Sequence, residues 1–464
     1  MASTFLSNLH PTYHALLWGG IVLFVVGIIV LILWLTGVIA GDSTVAVITP
    51  TPTPCEEEFA LLGTQWTGAQ VGSSGSFALF GQSLSADGAF LTIQGVGTSA
   101  GLGTGDANVV LVPRTADGEY TTVAETVTVP DGTGASGNLR YDGLQYALPR
   151  AQASPRGNVL LYHRATVDDA LFGTPITLTP PTTTGVGFGK AATFTTNDPD
   201  HHLFIEENDK GPAPDDYGVL HIYKNVTTIP VLVQTLEPPS PLSGDAFGFR
   251  NFVQSNQWLV TTAPSAGMGY AYERSTTTGL WTLSGGAFES VEMKDTRGSD
   301  IWISPDGLMV VMGQAEYPIA TPGALRGRVE IFTRATTADT FASARTFTEP
   351  GGEVDRSAFG TSTVVDPENQ FLAISGHALV PDESAKFYVY ALDATAHTVG
   401  ADPVATFEYG DFVPSPGLGL GGNRINFAQV GTLGQYVLAA TLVDAAMTGT
   451  NVSTSRVFQG CLSK

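Results

Sequence analysis

Cysteine and basic residues are scarce in this chain of 464 residues. It has two cysteines and 21 lysines and arginines against 43 aspartates and glutamates, for a formal charge of −22, and its first lysine or arginine is Arg114. So acidic a surface repels nucleic acid and anionic headgroups, and no nucleic-acid partner is expected. Two cysteines and eight histidines leave few soft metal ligands, so the sequence predicts no metal site and no cofactor.

Charged side chains of either sign are also few, at 14% of the residues, whereas glycine is abundant at 54. This composition favours a turn-rich all-β protein over a helical one. The sequence has no Gly-x-Ser-x-Gly turn between a strand and a helix and no phosphate-binding glycine loop. We therefore expect that the chain is not an enzyme and has no catalytic residue.

An uncharged, mostly apolar run extends from Ala15 to Ala40. As a helix it would be about 37 Å long, enough to cross a bilayer. Trp18 and Trp34 near its ends suit the headgroup zone. The alternative is a cleaved signal peptide, against which the length of the run and the lack of a basic segment before it both count. The sequence predicts one N-terminal transmembrane helix, with the lipid bilayer as its partner.

The predicted domain order is a short tail at 1–14, the transmembrane helix at 15–40, a Thr/Pro stalk at 41–54 and an ectodomain at 55–464. Alternating prolines in the stalk prefer the polyproline II conformation. No lysine or arginine lies near the predicted transmembrane helix, so the positive-inside rule does not determine its orientation in the membrane. Two possible glycosylation sites, Asn225 and Asn451, and more strongly the pair of cysteines, Cys55 and Cys461, favour a single-pass protein with its ectodomain on the non-cytosolic face; a virion membrane is the alternative.

A unit of roughly 55 residues recurs along the ectodomain, which is within the range of propeller blades. Each copy has apolar strands separated by turns rich in Asp, Asn, Pro and Gly. The last copy lacks a fourth strand, which residues 58–62 could supply. The sequence thus predicts an all-β fold, a propeller of about seven blades, with stacked β-sandwiches as the rival. The clearest copies open with Phe80-Gly81, Phe188-Gly189, Phe247-Gly248 and Phe359-Gly360.

The two cysteines stand at opposite ends of this region, as Cys55 and Cys461. A ring brings its two ends together, so we predict a disulfide that closes the seam. Two unpaired thiols in a reducing compartment are the alternative.

The Phe-Gly openings, each followed by a strand, a turn and a strand, resemble the FG-GAP repeats of integrin-α-type β-propellers. The resemblance covers nearly all of residues 55–461 and implies a role in adhesion and recognition. Several blades of that family carry a calcium loop of the pattern Asp-x-Asp-x-Asp-Gly. The corresponding turns here lack the full set of oxygen ligands, so calcium binding is not expected.

The densest polar cluster of the sequence falls between Asn197 and Asp216. Carboxylates and imidazoles there could converge on a divalent metal or a ligand, but a solvated acidic loop around one apolar strand fits the irregular spacing better. His163 and His221 fall on third strands, and we interpret them as blade-edge residues. The weak candidates in the cluster are Asp198, Asp200, His201, His202, Glu206, Glu207 and Asp209.

Taken together, these patterns predict a membrane-anchored recognition or adhesion scaffold, with a protein or glycan ligand on rim loops. The first alternative is a structural membrane protein of a virion or another membrane-containing assembly, where the propeller would dock to a coat. The second is a propeller enzyme that acts on glycans.

Overall fold

The computed structural model describes residues 60–71, 77–97, 106–130, 137–151, 153, 156–181, 185–195, 200–209, 217–224, 229–242, 244–248, 251–254, 257–289, 300–314, 327–350, 359–376, 386–408, 424–429, 435–442 and 454–462. The chain divides into two units, Met1–Pro54 and Cys55–Lys464, and every described strand belongs to the second.

The described residues form 29 strands, one helix, α1 (Gly68–Val71), and one 3₁₀ turn (Pro264–Ala266). The first strands are β1 (Ala60–Thr67), β2 (Phe77–Leu84), β3 (Phe90–Gly97), β4 (Ala107–Pro113), β5 (Glu125–Val129), β6 (Asn138–Leu139), β7 (Gln145–Arg150), β8 (Asn158–His163) and β9 (Ile176–Leu178). They are followed by β10 (Val186–Phe194), β11 (Leu203–Asp209), β12 (Val219–Lys224), β13 (Val231–Leu236), β14 (Asn251–Gln254), β15 (Trp258–Ala263), β16 (Met268–Arg274) and β17 (Trp281–Glu289). The last are β18 (Ile301–Ile303), β19 (Met309–Gln314), β20 (Arg328–Thr333), β21 (Ala342–Phe347), β22 (Thr363–Val365), β23 (Phe371–Gly376), β24 (Lys386–Asp393), β25 (Thr398–Val399), β26 (Ala405–Glu408), β27 (Arg424–Gln429), β28 (Gln435–Leu442) and β29 (Thr454–Cys461).

These strands pair into seven antiparallel sheets, numbered here along the chain. Sheets 1 to 5 each run from inner to outer strand in sequence order: β2–β5, β6–β9, β10–β13, β14–β17 and β18–β21. Sheet 6 contains β22 to β26, and sheet 7 has the order β27, β28, β29, β1. Short turns join some consecutive strands, for example β2 to β3 and β18 to β19, where the Asp-Gly pairs at 87–88 and 306–307 predict them.

The sheets are arranged around a ring. The first strand of every sheet contacts the first strand of the next, from β2 through β6, β10, β14, β18 and β22 to β27, and β27 contacts β2 again. A separate hydrophobic cluster lies between each two neighbouring sheets, including sheets 7 and 1. Strands such as β15 and β19 are buried along their whole length, which explains their continuous apolar runs. The predicted all-β propeller fold is confirmed.

The ring closes through its N-terminal strand. β1 pairs antiparallel with β29, placing Ala60 opposite Gln459 and Thr67 opposite Thr454. This confirms that residues just after Cys55 supply the strand that the last repeat lacks. Trp66, on β1, is buried in the cluster between sheets 7 and 1, and its indole Nε1 donates a hydrogen bond to the carbonyl of Tyr120 at 3.2 Å.

The Phe-Gly openings are joints between sheets. The side chain of Phe188 is fully buried, and Gly189 has φ +82° at the point where β10 meets the preceding sheet. A Cβ at Gly189 would lie 2.6 Å from the carbonyl oxygen of Asn158, on β8 of sheet 2. Only glycine combines that φ with so close an approach of two backbones, which is why the dipeptide recurs. Gly360 repeats the arrangement, with φ +87° and a Cβ position 2.6 Å from the carbonyl oxygen of Arg328.

The predicted localisation as a single-pass membrane protein is corrected. Across the residues that the structure describes, no helix is long and apolar enough to cross a membrane; α1 has four residues, a length of about 6 Å. The tail at 1–14, the predicted helix at 15–40 and the stalk at 41–54 lie outside the described residues, as do Cys55, Asn225 and Asn451. The predicted disulfide and glycosylation sites therefore stay predictions.

Candidate functional site

The structure divides the predicted polar cluster between the two ends of β11. Asp200, His201 and His202 precede the strand, whereas Glu206 and Glu207 are near its end, and a seven-residue strand is roughly 20 Å long. At the first end, the carboxylate of Asp200 is 2.6 Å from Nη2 of Arg274 in the next sheet. Asp198 and the side chain of Asp209 are outside the described part of the structure.

Glu206 and Glu207 are both buried but face opposite sides of sheet 3. Glu206 faces sheet 4, since a Cβ built on Gly248 there would lie 3.7 Å from its Cγ. Glu207 shares a face with Ile205, which packs against sheet 2. Within the described residues, no three histidine, cysteine or acidic side chains are grouped closely enough to hold a metal ion.

A chain of three polar side chains crosses sheet 3 on the face toward sheet 2. Oε2 of Glu207, on β11, is 2.6 Å from Nε2 of His221, on β12, and neither side chain is exposed. Nδ1 of the same imidazole is 3.0 Å from the hydroxyl oxygen of Thr235, on the outer strand β13. Thr235 lies directly opposite His221 in the strand register and is exposed to solvent. The relay therefore connects a buried carboxylate to a surface hydroxyl.

The direction of these hydrogen bonds follows from the tautomer of His221. With Nε2 protonated, the imidazole donates to the carboxylate of Glu207, which only accepts when ionised. Nδ1 of a neutral imidazole is then an acceptor for the hydroxyl of Thr235. Phe188 packs on the imidazole with a centroid distance of 5.6 Å. Burial, with the nearby charge of Glu207, raises the pKa of Tyr223 to about 12, so the phenol stays neutral beside the relay.

Exposed apolar side chains concentrate on the outer strands of sheets 3 and 4. Nine large hydrophobic side chains are exposed among the described residues, and all are aliphatic. Five of them lie on or just before β13 and β17 and are called here the outer apolar strip: Ile229 (76% exposed), Val231 (46%), Leu232 (38%), Leu280 (43%) and Leu283 (38%).

A side-chain amide holds the two parts of this strip together. Nε2 of Gln234, on β13, donates to the carbonyl of Trp281, on β17, at 2.8 Å, and its Oε1 accepts from the backbone N–H of Trp281 at 2.8 Å. The indole of Trp281 is buried against Phe204 at 5.5 Å between ring centroids. The two hydrogen bonds of Gln234 thus tie β13 to β17, the two strands on which most of the outer apolar strip lies.

One turn holds a carboxyl group where related turns have serine. In the turns before β3 and β19, the hydroxyls of Ser85 and Ser304 each donate to the following aspartate at 2.6 Å. Before β23 the corresponding residue is Asp366, which accepts from the backbone N–H of Gln370 and of Phe371 at 2.6 and 2.5 Å. Burial, together with Glu368, raises the pKa of Asp366 to about 7.

Sequence reasoning named Glu207 but missed its partners. It interpreted His221 as a blade-edge residue, whereas the imidazole is fully buried inside sheet 3; His163 is exposed. Thr235 was missed altogether, because the pairing of β12 with β13 depends on the strand register and no local pattern marks it.

The fold defines the chain as a β-propeller protein. No protein-family model and no curated protein matches the chain. Among solved structures, the periplasmic gluconolactonase PpgL of Pseudomonas aeruginosa is similar at 13% identity and a TM-score of 0.46, over 70% of this chain and 84% of that one. A putative 6-phosphogluconolactonase of Bacteroides fragilis is similar at 12% and 0.45, over 70% and 85%. The Dos1 propeller is similar at 10% and 0.45, over 86% and 95%.

The expectation that the chain is not an enzyme is corrected on this finding. Two of these similar propellers are described as a gluconolactonase and a putative 6-phosphogluconolactonase. The lack of nucleophile-elbow and phosphate-loop motifs is no evidence against catalysis here, because those motifs belong to folds with strand-to-helix turns. Their absence from an all-β chain carries no information.

Proposed function

We propose that this protein is a protein-recognition scaffold that binds its partner on the outer apolar strip. The observation that carries the proposal is the concentration of exposed aliphatic side chains on or just before β13 and β17, because clusters of exposed apolar side chains mark interaction sites. Aliphatic side chains suit a protein partner better than a glycan, since sugar rings commonly stack on exposed aromatic faces.

The strand that carries most of the strip is also an open edge. β13 is the outermost strand of sheet 3 and contains no charged residue in Val231–Leu236. Charged residues usually protect such edges from pairing with another chain. The outer strands of sheets 1 and 5 contain Glu125 and Arg345, whereas β9 of sheet 2 and β1 of sheet 7 are uncharged like β13. An extended apolar segment could therefore add to β13 as a further strand.

The charge of the chain indicates what kind of segment this is. At a formal charge of −22 the protein attracts cationic partners over a long range and repels acidic ones. We therefore propose a partner that offers an extended segment with alternating apolar and basic side chains. The same surface would serve the alternative role, attachment to the coat of a larger assembly.

The proposal also includes the number of blades and a relation to FG-GAP repeats. The seven sheets act as the seven blades of one ring, a view supported by the clusters between all neighbouring pairs. A relation to FG-GAP repeats is supported by the matching positions of Phe188, Phe247 and Phe359, all fully buried.

Calorimetric titration of the full chain with two synthetic peptides tests the proposed function. One peptide alternates valine with lysine, and the other alternates valine with glutamate. We expect the lysine peptide alone to bind, and Leu232→Lys to weaken its binding at least roughly tenfold, because the substitution places a charge on the edge. Val404→Lys, at an exposed valine outside the strip, is the control and should bind as the wild type does. Equal binding by the Leu232→Lys and Val404→Lys variants, or no binding by the wild type, would overturn the proposal.

A further inference from the structure

The proposed recognition of a partner does not use the relay of Glu207, His221 and Thr235, although Thr235 lies on β13, the strand that carries part of the outer apolar strip. A fully buried carboxylate, hydrogen-bonded to a fully buried imidazole, is linked through that imidazole to a hydroxyl that is exposed on the outer strand. A nucleophile, a base bonded to it and a third group that orients the base are the recurring parts of nucleophilic catalysis. We infer that Thr235 is the nucleophile of an acyl-transfer site that takes uncharged esters with an apolar acyl group.

Each member of the relay has a defined role. Nδ1 of His221, 3.0 Å from the hydroxyl of Thr235, is positioned to take its proton as the general base. Glu207, 2.6 Å from Nε2, is a positioning residue that keeps the imidazole in the tautomer with Nδ1 unprotonated and stabilises the cation that forms. β13 is the last strand of its sheet, and backbone N–H groups on its side away from β12 would be the donors to an oxyanion.

The surroundings of Thr235 define the class of substrate. Leu232 lies opposite Tyr223 in the register, which puts it on the same face of sheet 3 as Thr235, and it is 38% exposed. An apolar acyl chain can pack on this side chain. The formal charge of −22 disfavours anionic esters. A neutral ester of a short fatty acid satisfies both conditions.

The reaction balances without any co-reactant except water. The oxygen of Thr235 bonds to the acyl carbon while its proton moves to Nδ1 of His221. The bond between the acyl carbon and the alcohol oxygen then breaks, and the alcohol leaves with that proton. Water gives a proton to the same Nδ1 and attacks the acyl carbon, and the oxygen of Thr235 departs with the proton returned.

Reaction of the full chain with p-nitrophenyl butyrate tests the inference. We expect release of nitrophenol and a butyryl group that peptide mass spectrometry maps to Thr235. Thr235→Val should abolish both, and Thr235→Ser should retain both. Because Thr235 is exposed, its substitution leaves the core intact. Thr282→Val is the matched control and should react as the wild type does: Thr282 is also exposed on an outer strand, but its hydroxyl donates to the carbonyl of Glu273.

The role of Glu207 needs its own measurement. Glu207→Gln keeps the shape of the side chain but removes the charge that sets the tautomer, so acylation should slow at least roughly tenfold at an unchanged KM. Butyrylation at another residue, or an unchanged rate in Thr235→Val, would overturn the inference. An acylation rate equal to that of the wild type in a folded Glu207→Gln variant would remove Glu207 from the mechanism.

Discussion

Gly307 lies flat against the indole of Trp258, so that the turn before β19 in sheet 5 rests on the first residue of β15 in sheet 4. Gly307 has φ +73°, and a Cβ there would overlap the ring. Both conditions exclude any side chain. The contact shows how a turn of one sheet and an aromatic side chain of the preceding sheet hold neighbouring sheets in place.

Substitution of this glycine should be costly. Gly307→Ala combines backbone strain with a steric clash, so we expect it to lower the free energy of unfolding by about 2–4 kcal/mol. Chemical denaturation measures the change. Gly173→Ala serves as the control, since a Cβ at Gly173 would have no heavy atom within 4 Å; its effect should stay within about 0.5 kcal/mol. Equal midpoints for the two variants would contradict this explanation.

Arg334 should be sensitive even to lysine. Its Nε donates to the carbonyl of Gly307 at 2.7 Å, and its guanidinium lies 4.4 Å from the ring centroid of Phe341. Lysine cannot reproduce the planar stacking and the directed hydrogen bonds, so Arg334→Lys should destabilise the protein by about 1–3 kcal/mol. Arg274→Lys should cost less than about 1 kcal/mol, because the carboxylate partner Asp200 is half exposed. Thermal and chemical unfolding of both variants would check the order.

Asp366 should make stability depend on pH. Its pKa is raised to about 7 in the folded protein, chiefly by burial and further by Glu368, whereas an unfolded aspartate has a pKa of about 3.9. The folded state therefore binds more protons than the unfolded state between about pH 4 and 7, and stability should fall as pH rises through that range. The charges of Asp366 and Glu368 also act on Tyr436, whose pKa is raised mainly by burial.

The comparison for this prediction is Asp366→Ser, which reproduces the residue found in the turns at Ser85 and Ser304. Denaturation midpoints measured from pH 4 to 7 should decline less in this variant than in the wild type. A parallel decline in both proteins would show that other groups cause the pH dependence.

The predicted bond between Cys55 and Cys461 is open to direct chemistry. Cys461 is the last residue of β29, the strand that pairs with β1 at the closure of the ring. Alkylation of the denatured, unreduced chain should modify neither cysteine, and reduction should expose both. Reduction should also lower the thermal midpoint, since the bond would close a loop of about 400 residues in the unfolded chain. Alkylation of both cysteines without reduction would refute the pairing.

Much of the fold could be predicted because its signals are local. The alternation within strands, the turn residues and the repeated Phe-Gly step are all properties of short segments, and they were sufficient for an all-β propeller. The sequence also showed that the last repeat lacks a fourth strand, and in the structure β1 takes that position in sheet 7. The candidate site was harder to predict from the sequence than the fold. Glu207 and His221 are separated by 14 positions in the sequence, and their 2.6 Å contact depends on the register of β11 with β12.

The sequence by itself determined the strand content, the turns and the repeat, because hydrophobic periodicity and turn chemistry act between near neighbours along the chain. Only the tertiary structure decided which side chains share a face. It brought Thr235 to His221, exposed the outer apolar strip and placed Trp66 between sheets 7 and 1. The physical reason is that a shift of one residue in strand register turns every side chain to the other face, and the register is fixed by packing between distant strands.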